Sequence, residues 1–147
     1  MGSEVRMRGW LIAGLTSLAL LAPGLAAAER LVARVSISEQ KMEVYREGLL
    51  LYTWIVSTAK PGKVTPVGSY APEFLSRNHK SRKYNNAPMP FAIFYDGDFA
   101  IHGTDKISRL GEPDSQGCVR LHPDNAKILF DMVKAGGMDS LRVEIIN

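Results

Sequence analysis

The sequence predicts a mostly β domain with one or two short helices, on three observations. Apolar and polar residues alternate through much of residues 31–57 and again at 141–145, the period-two pattern of half-buried strands. Turn dipeptides such as Glu47-Gly48, Pro61-Gly62 and Asp96-Gly97 punctuate these runs. A helical stripe occurs once, late in the chain, between Pro123 and Gly136-Gly137.

Taken in order, Leu31, Ala33, Val35 and Ile37 fall on one face of a first strand, and Met42 and Val44 on one face of a second. Leu50 to Ser57, rich in aromatic and β-branched residues, makes a third. Only Glu39-Gln40 and Glu47-Gly48 separate the three, which therefore read as a β-meander. Ala59 to Gly68 is a turn-rich connector, after which Ser69-Tyr70-Ala71 begins another extended segment. Ser76 to Pro90 is polar and basic and is expected to be a long irregular loop. Phe91–Tyr95 and Phe99–His102 flank Asp96-Gly97-Asp98 as a hairpin. Pro123 suits the first position of the helix, Asp124 its positive end, and Ile128, Leu129, Met132 and Val133 its apolar stripe. Leu141 to Ile145 is the last strand, and no internal repeat is present.

The N-terminus has the layout of a secretory leader. Arg6 and Arg8 precede an apolar run from Trp10 to Leu25, and Ala26-Ala27-Ala28 supplies small residues for cleavage. The run is short for a membrane span of about 20 residues, and Pro23-Gly24 interrupts it. Residues 1–28 are thus expected to be a signal peptide and 29–147 one mature domain, with no stable membrane insertion after cleavage. The leader carries two arginines and one glutamate, so the formal charge falls from +3 to +2. That small excess gives no electrostatic footprint for nucleic acid.

An exported chain with one cysteine, Cys118, cannot form an internal disulfide, so its thiol is either buried and inert or kept for its reactivity. A thiol needs a base, a cation or a helix N-terminus to become a nucleophile. His102, Arg120 and the helix start near Pro123 are the candidates. Gly117, without a Cβ, can adopt an unusual backbone conformation and turn amides toward a developing oxyanion. The set matches a Cys-His acyl-transfer site, although spacing alone leaves other readings open. Cys118 could be a core residue and His102 a satisfied sheet histidine. His102, Cys118 and His122 could ligate a metal, but no paired-ligand motif is present, and Ser115 lacks the glycine pattern of a nucleophile elbow.

Ile101-His102-Gly103-Thr104 and Ser115-Gln116-Gly117-Cys118-Val119-Arg120-Leu121, in that order, resemble the signature of the L,D-transpeptidase catalytic domains, cysteine enzymes that cross-link peptidoglycan. Upstream, Val56 to Gly62 and Thr65-Pro66-Val67-Gly68-Ser69-Tyr70 resemble the same family's connector. The resemblance implies an L,D-transpeptidase-like β-sandwich or meander with the late helix packed after the cysteine loop. It implies Cys118 as nucleophile on a stem tetrapeptide, expelling the terminal D-alanine, and His102 as base, oriented by the Gly103 carbonyl. The amides of Gly117 and Cys118 would form the oxyanion hole, with Ser115 holding that turn and Arg120 stabilising the site or meeting a substrate carboxylate. Tyr84, within the segment Arg77 to Asn86, is expected in a lid over the substrate.

The same resemblance implies no metal or cofactor, a monomer in the periplasm or cell wall, and sensitivity to carbapenems. Its partners would be peptidoglycan stem peptides, with a second stem's amine, a wall-attached protein or water as acceptor. An L,D-carboxypeptidase or a hydrolase releasing wall proteins would share the site, and a non-catalytic wall-binding domain would share the fold. No separate wall-binding module is expected within these 147 residues, so substrate binding is expected to rest on the domain itself. The rate is expected to rise with pH as the Cys118/His102 pair reaches its reactive protonation state. Gln116 stands where many family members have a second histidine.

Overall fold

In β1 (Leu31–Ser36), Leu31, Ala33 and Val35 are buried and the residues between them are half-buried, as the alternation requires. The computed structural model describes residues 30–147; the expected leader, Met1–Ala28, lies outside the described residues. β1 pairs antiparallel with β2 (Lys41–Arg46), and β2 with β3 (Leu49–Ile55), so the meander forms as its spacing indicates. Glu47 and Gly48 both have positive φ, which lets a two-residue turn follow the twist of the strands it joins. At the preceding turn Gln40 has positive φ, and its buried amide is bonded to Ile37 and Thr58.

Two sheets result. The first has the order β3-β2-β1-β9-β4, with β4 at Gly68–Tyr70 and β9 at Leu141–Ile146. Within it β9 runs parallel to β1 and antiparallel to β4. The second has the order β5-β6-β7-β8, built from Phe74–Ser81, Ala87–Asp96, Phe99–Gly103 and Val119–Leu121. The inward faces of both sheets and the helix α1 (Pro123–Gly136) share one core, including Val35, Val44 and Val143 from the first sheet and Ile93, Ile101 and Leu121 from the second.

The helix begins as its sequence signals. Pro123 occupies its first turn, and the His122 side chain accepts the Asp124 amide at 3.1 Å as the N-cap. Its inner stripe is rotated from the expected one: Ala126, Leu129, Phe130 and Val133 are buried, while Ile128 is exposed. Phe130 displaces Ile128 because its ring packs edge-on against Phe91 at 5.8 Å. Burying a side chain such as Leu129 or Phe130 stabilises the fold by about 1.5–3 kcal/mol.

The segment expected to be an irregular loop, Ser76–Pro90, is mostly strand. β5 and β6 pair from Phe74↔Phe94 to Ser81↔Ala87, leaving only a short tip. Asn85 and Asn86 turn that tip with positive φ, and Ser81 Oγ accepts the Tyr84 amide. No alternation marked this hairpin because its outer half has no buried core to face, so polar side chains stand on both sides. Its lysines and arginines also guard an edge strand against pairing with another chain. Arg77 lies over the rings of Phe91 and Phe130 and pairs with Asp131 at 3.3 Å, so it anchors the hairpin base to α1 and is no part of a lid.

Candidate active site

β7 and β8 run parallel with Ile101 opposite Val119 and His102 opposite Arg120. Ile101 and Val119 point into the core, so His102 and Arg120 stand on the outer face, together with Cys118 two residues before Arg120. The pleat therefore brings the two expected motifs side by side. Cys118, His102, Arg120, Gln116 and Tyr84 line one cleft of about 200 Å3, completed by Met89, Thr104, Asp105 and Lys106 among others.

His102 is 6% exposed, and its Nδ1 lies 2.6 Å from the Gly103 carbonyl. A carbonyl can only accept, so Nδ1 carries the proton and Nε2 keeps its lone pair. Burial drives the ring pKa from 6.5 down to about 4, against the hydrogen bond to Gly103, and the Arg120 guanidinium pushes the same way as burial. The imidazole is thus neutral at neutral pH. A Cβ on Gly103 would lie 3.0 Å from both Pro123 and Pro90, so the peptide that orients the ring has no room for a side chain.

Cys118 is half-buried, packed beside Met89, Ala92, Phe94 and Ala100. Its thiol donates toward the Asp98 carbonyl at 3.6 Å. Burial pushes the thiol above its ordinary pKa, opposed by a backbone hydrogen bond at Ala100 and by the charges of Arg120 and Lys83. Thiol and neutral imidazole therefore share the cleft, and among the described residues no hydrogen bond joins them.

Ser115 is fully buried: its Oγ donates to the Cys118 carbonyl at 2.6 Å and accepts the Gly117 amide at 3.0 Å. This corrects one expectation. The Gly117 amide is already committed to Ser115 and is not presented to an oxyanion. What Gly117 contributes is its conformation, with φ at 138° and a backbone so enclosed that a Cβ would lie 2.6 Å from the Phe99 ring and 2.9 Å from the Val64 carbonyl. Gly117→Ala is expected to lower stability by about 2–4 kcal/mol in urea unfolding, from strained φ plus overpacking. A loss under about 1 kcal/mol would mean that the loop relaxes around the new methyl.

Arg120 is bonded through Nη1 to Asp114, at 3.2 Å to the carboxylate and 3.4 Å to the carbonyl, and Asp114 also holds Arg109. Its charge is thus largely answered from within the chain. Tyr84 reaches the cleft from the hairpin tip. His122 caps the helix by its Nδ1 and does not line this cleft.

Sequence reasoning missed Asp114, Lys106 and Thr65. Thr65 Oγ1 accepts the Ala59 amide and donates to the Gly117 carbonyl at 2.8 Å, tying the connector to the cysteine loop. Thr65 falls in the connector that resembles the family's, but nothing local shows that its hydroxyl reaches a residue 52 positions away.

With this geometry in place, comparison with known proteins gives a consistent likeness. The family model for the YkuD L,D-transpeptidase catalytic domain matches residues 30–145. "Probable L,D-transpeptidase ErfK/SrfK" of Escherichia coli is 44% identical over 57 residues, covering 39% of this chain and 17% of the relative. "L,D-transpeptidase 1" of Mycobacterium tuberculosis is 27% identical over 130 residues, covering 79% of this chain and 52% of the relative. The chain thus spans about half the length of the second relative and less of the first. Among solved structures, an L,D-transpeptidase in complex with imipenem superposes with a TM-score of 0.70 at 24% identity, covering 80% of this chain and 59% of that one. That last likeness is one of fold.

Proposed function

The chain belongs to the L,D-transpeptidase catalytic-domain family, and from that premise we propose that it is an exported cysteine acyltransferase acting on peptidoglycan stem tetrapeptides. The observation that carries the reading is that Cys118 and His102 line one cleft, with the His102 proton held on Nδ1 by the Gly103 carbonyl and Nε2 left to act as base.

Cys118 Sγ attacks the carbonyl of the third stem residue while His102 Nε2 takes the thiol proton. The Cys118 amide faces the tetrahedral oxyanion, in a loop shaped by Ser115 and Gly117. Collapse breaks the bond to the terminal D-alanine, whose amine leaves with the proton from His102. An acceptor amine then attacks the thioester, gives its proton to His102 and displaces the sulfur, which recovers a proton as the cross-link forms. Arg120 braces this face of the site through Asp114, and Tyr84 covers the substrate from the hairpin tip. The leader at residues 1–28 and the family's substrate together support a periplasmic or cell-wall location.

Incubation of the enzyme with tetrapeptide muropeptides tests the reading. Cross-linked dimers and free D-alanine are the expected products. Tripeptides without dimers would make the protein an L,D-carboxypeptidase, with water as acceptor at the same thioester. A relative in fold has been solved with imipenem, so intact-mass measurement after exposure to a carbapenem is a second readout, with one covalent adduct expected. Unchanged muropeptides together with no adduct would leave only a non-catalytic wall-binding role.

A further inference from the structure

We propose that the cleft selects stem peptides with free internal carboxylates and that Lys83 and Lys106 make this selection, an inference that rests on the reading of the site given above. The starting point is Arg120, the cation nearest the nucleophile in sequence, which is bonded to Asp114 and so is poorly placed to recognise a substrate charge. Two other cations stand in or beside the cleft. Lys106 lines it directly, on backbone fixed by the hydrogen bond its N–H donates to Thr104 Oγ1 at 3.0 Å. Lys83 lies at the hairpin tip with its Nζ 5.5 Å from the ring centroid of Tyr84, which lines the cleft, and its charge is felt at the Cys118 thiol.

Neither lysine forms an ion pair among the described residues, whereas Arg34, Arg77, Arg109, Arg120 and Lys127 all do. The hairpin that carries Lys83 has no Asp or Glu from Phe74 to Tyr95, while it holds Arg77, Lys80, Arg82 and Lys83. The one carboxylate lining the cleft is Asp105, adjacent to Lys106 in the chain and without a bond to its ammonium. The balance is positive: Lys106 lines the cleft, and Lys83, from a separate segment, stands beside it on the ring of a lining residue. An ammonium gains more from a carboxylate than from the corresponding amide, because the charge-assisted bond is stronger. In a partly open cleft that advantage is modest and sensitive to salt.

The test is calorimetric titration of the Cys118→Ala protein with a stem tetrapeptide whose internal carboxylates are free, and with the same peptide carrying them as primary amides. The free acid should bind about 10-fold more tightly at low salt. That preference should shrink as salt is added and fall to about twofold or less in the Lys83→Gln/Lys106→Gln double variant. Equal affinity for the two peptides, binding of neither, or a preference that survives the double substitution overturns the proposal. Turnover by the unaltered enzyme is read separately: a tetrapeptide left intact sinks the reaction proposed above, while the binding preference stays measurable.

Discussion

Cys118→Ala is expected to abolish both carbapenem adduct formation and D-alanine release, with turnover falling at least about 10,000-fold. The size follows from the chemistry: without the thiolate no acyl-enzyme forms, and nothing else in the cleft can replace it. Ser115, the nearest hydroxyl in sequence, is buried and already bonded to the Cys118 carbonyl and the Gly117 amide. The fold should tolerate the change, because the side chain lies at the edge of the small cluster of Met89, Ala92, Phe94 and Ala100. Loss of one sulfur there should cost about 1 kcal/mol or less. Activity lost with a thermal midpoint lowered by only a few degrees is the outcome that assigns the loss to chemistry. An adduct that persists in the variant would place the nucleophile elsewhere.

His102→Gln should lower kcat by about 100-fold to 10,000-fold and change the form of the pH profile. In the unaltered protein the base is neutral above about pH 4, so the rise in rate expected from the sequence moves to that acidic value and the rate is nearly level across neutral pH. A base with an ordinary pKa would have placed the rise near 6.5. In the variant the residual rate should follow the thiolate alone, climbing about tenfold per pH unit through neutral pH, because burial keeps the Cys118 thiol above its usual range. A level profile in both proteins would exclude His102 as the base.

The same substitution alters acid stability. Between pH 6.5 and about 4 the unfolded chain binds a proton on His102 that the folded state refuses, so stability falls as pH drops through that window. The penalty approaches roughly 3 kcal/mol at its acidic end. It should be missing from His102→Gln, which denaturant titrations at pH 7 and pH 4 would reveal.

These expectations draw on parts of the molecule that were unequally legible. The meander was readable because period two is local: Ala33, Val35, Met42 and Val44 advertise their burial within a few residues. The pair Cys118 and His102 was readable through two short motifs whose meeting only the β7–β8 pairing realises. The β5–β6 hairpin was not, since its outer half has solvent on both sides and so lacks any periodic signal. The tie of Arg120 to Asp114 was equally hidden. The two lie only 6 positions apart, yet composition does not tell whether an arginine faces a substrate or a neighbouring carboxylate. Ile128 and Phe130 exchanged places for a related reason, the stripe of a short helix being set by the ring it meets.

The parallel pairing of β1 with β9 has a consequence for how the chain comes into being. Residues such as Arg34 and Glu144, bonded across that pair, are 110 positions apart. The central strand of the first sheet therefore waits for β9 to be synthesised, and the loop that must close spans nearly all of the described residues. A nascent chain that has not yet produced Leu141 can form the β1–β2–β3 meander but leaves one side of β1 open. Until β9 emerges, the first sheet lacks both β9 and the β4 strand that pairs with it, so three of its five strands must wait in a half-open meander.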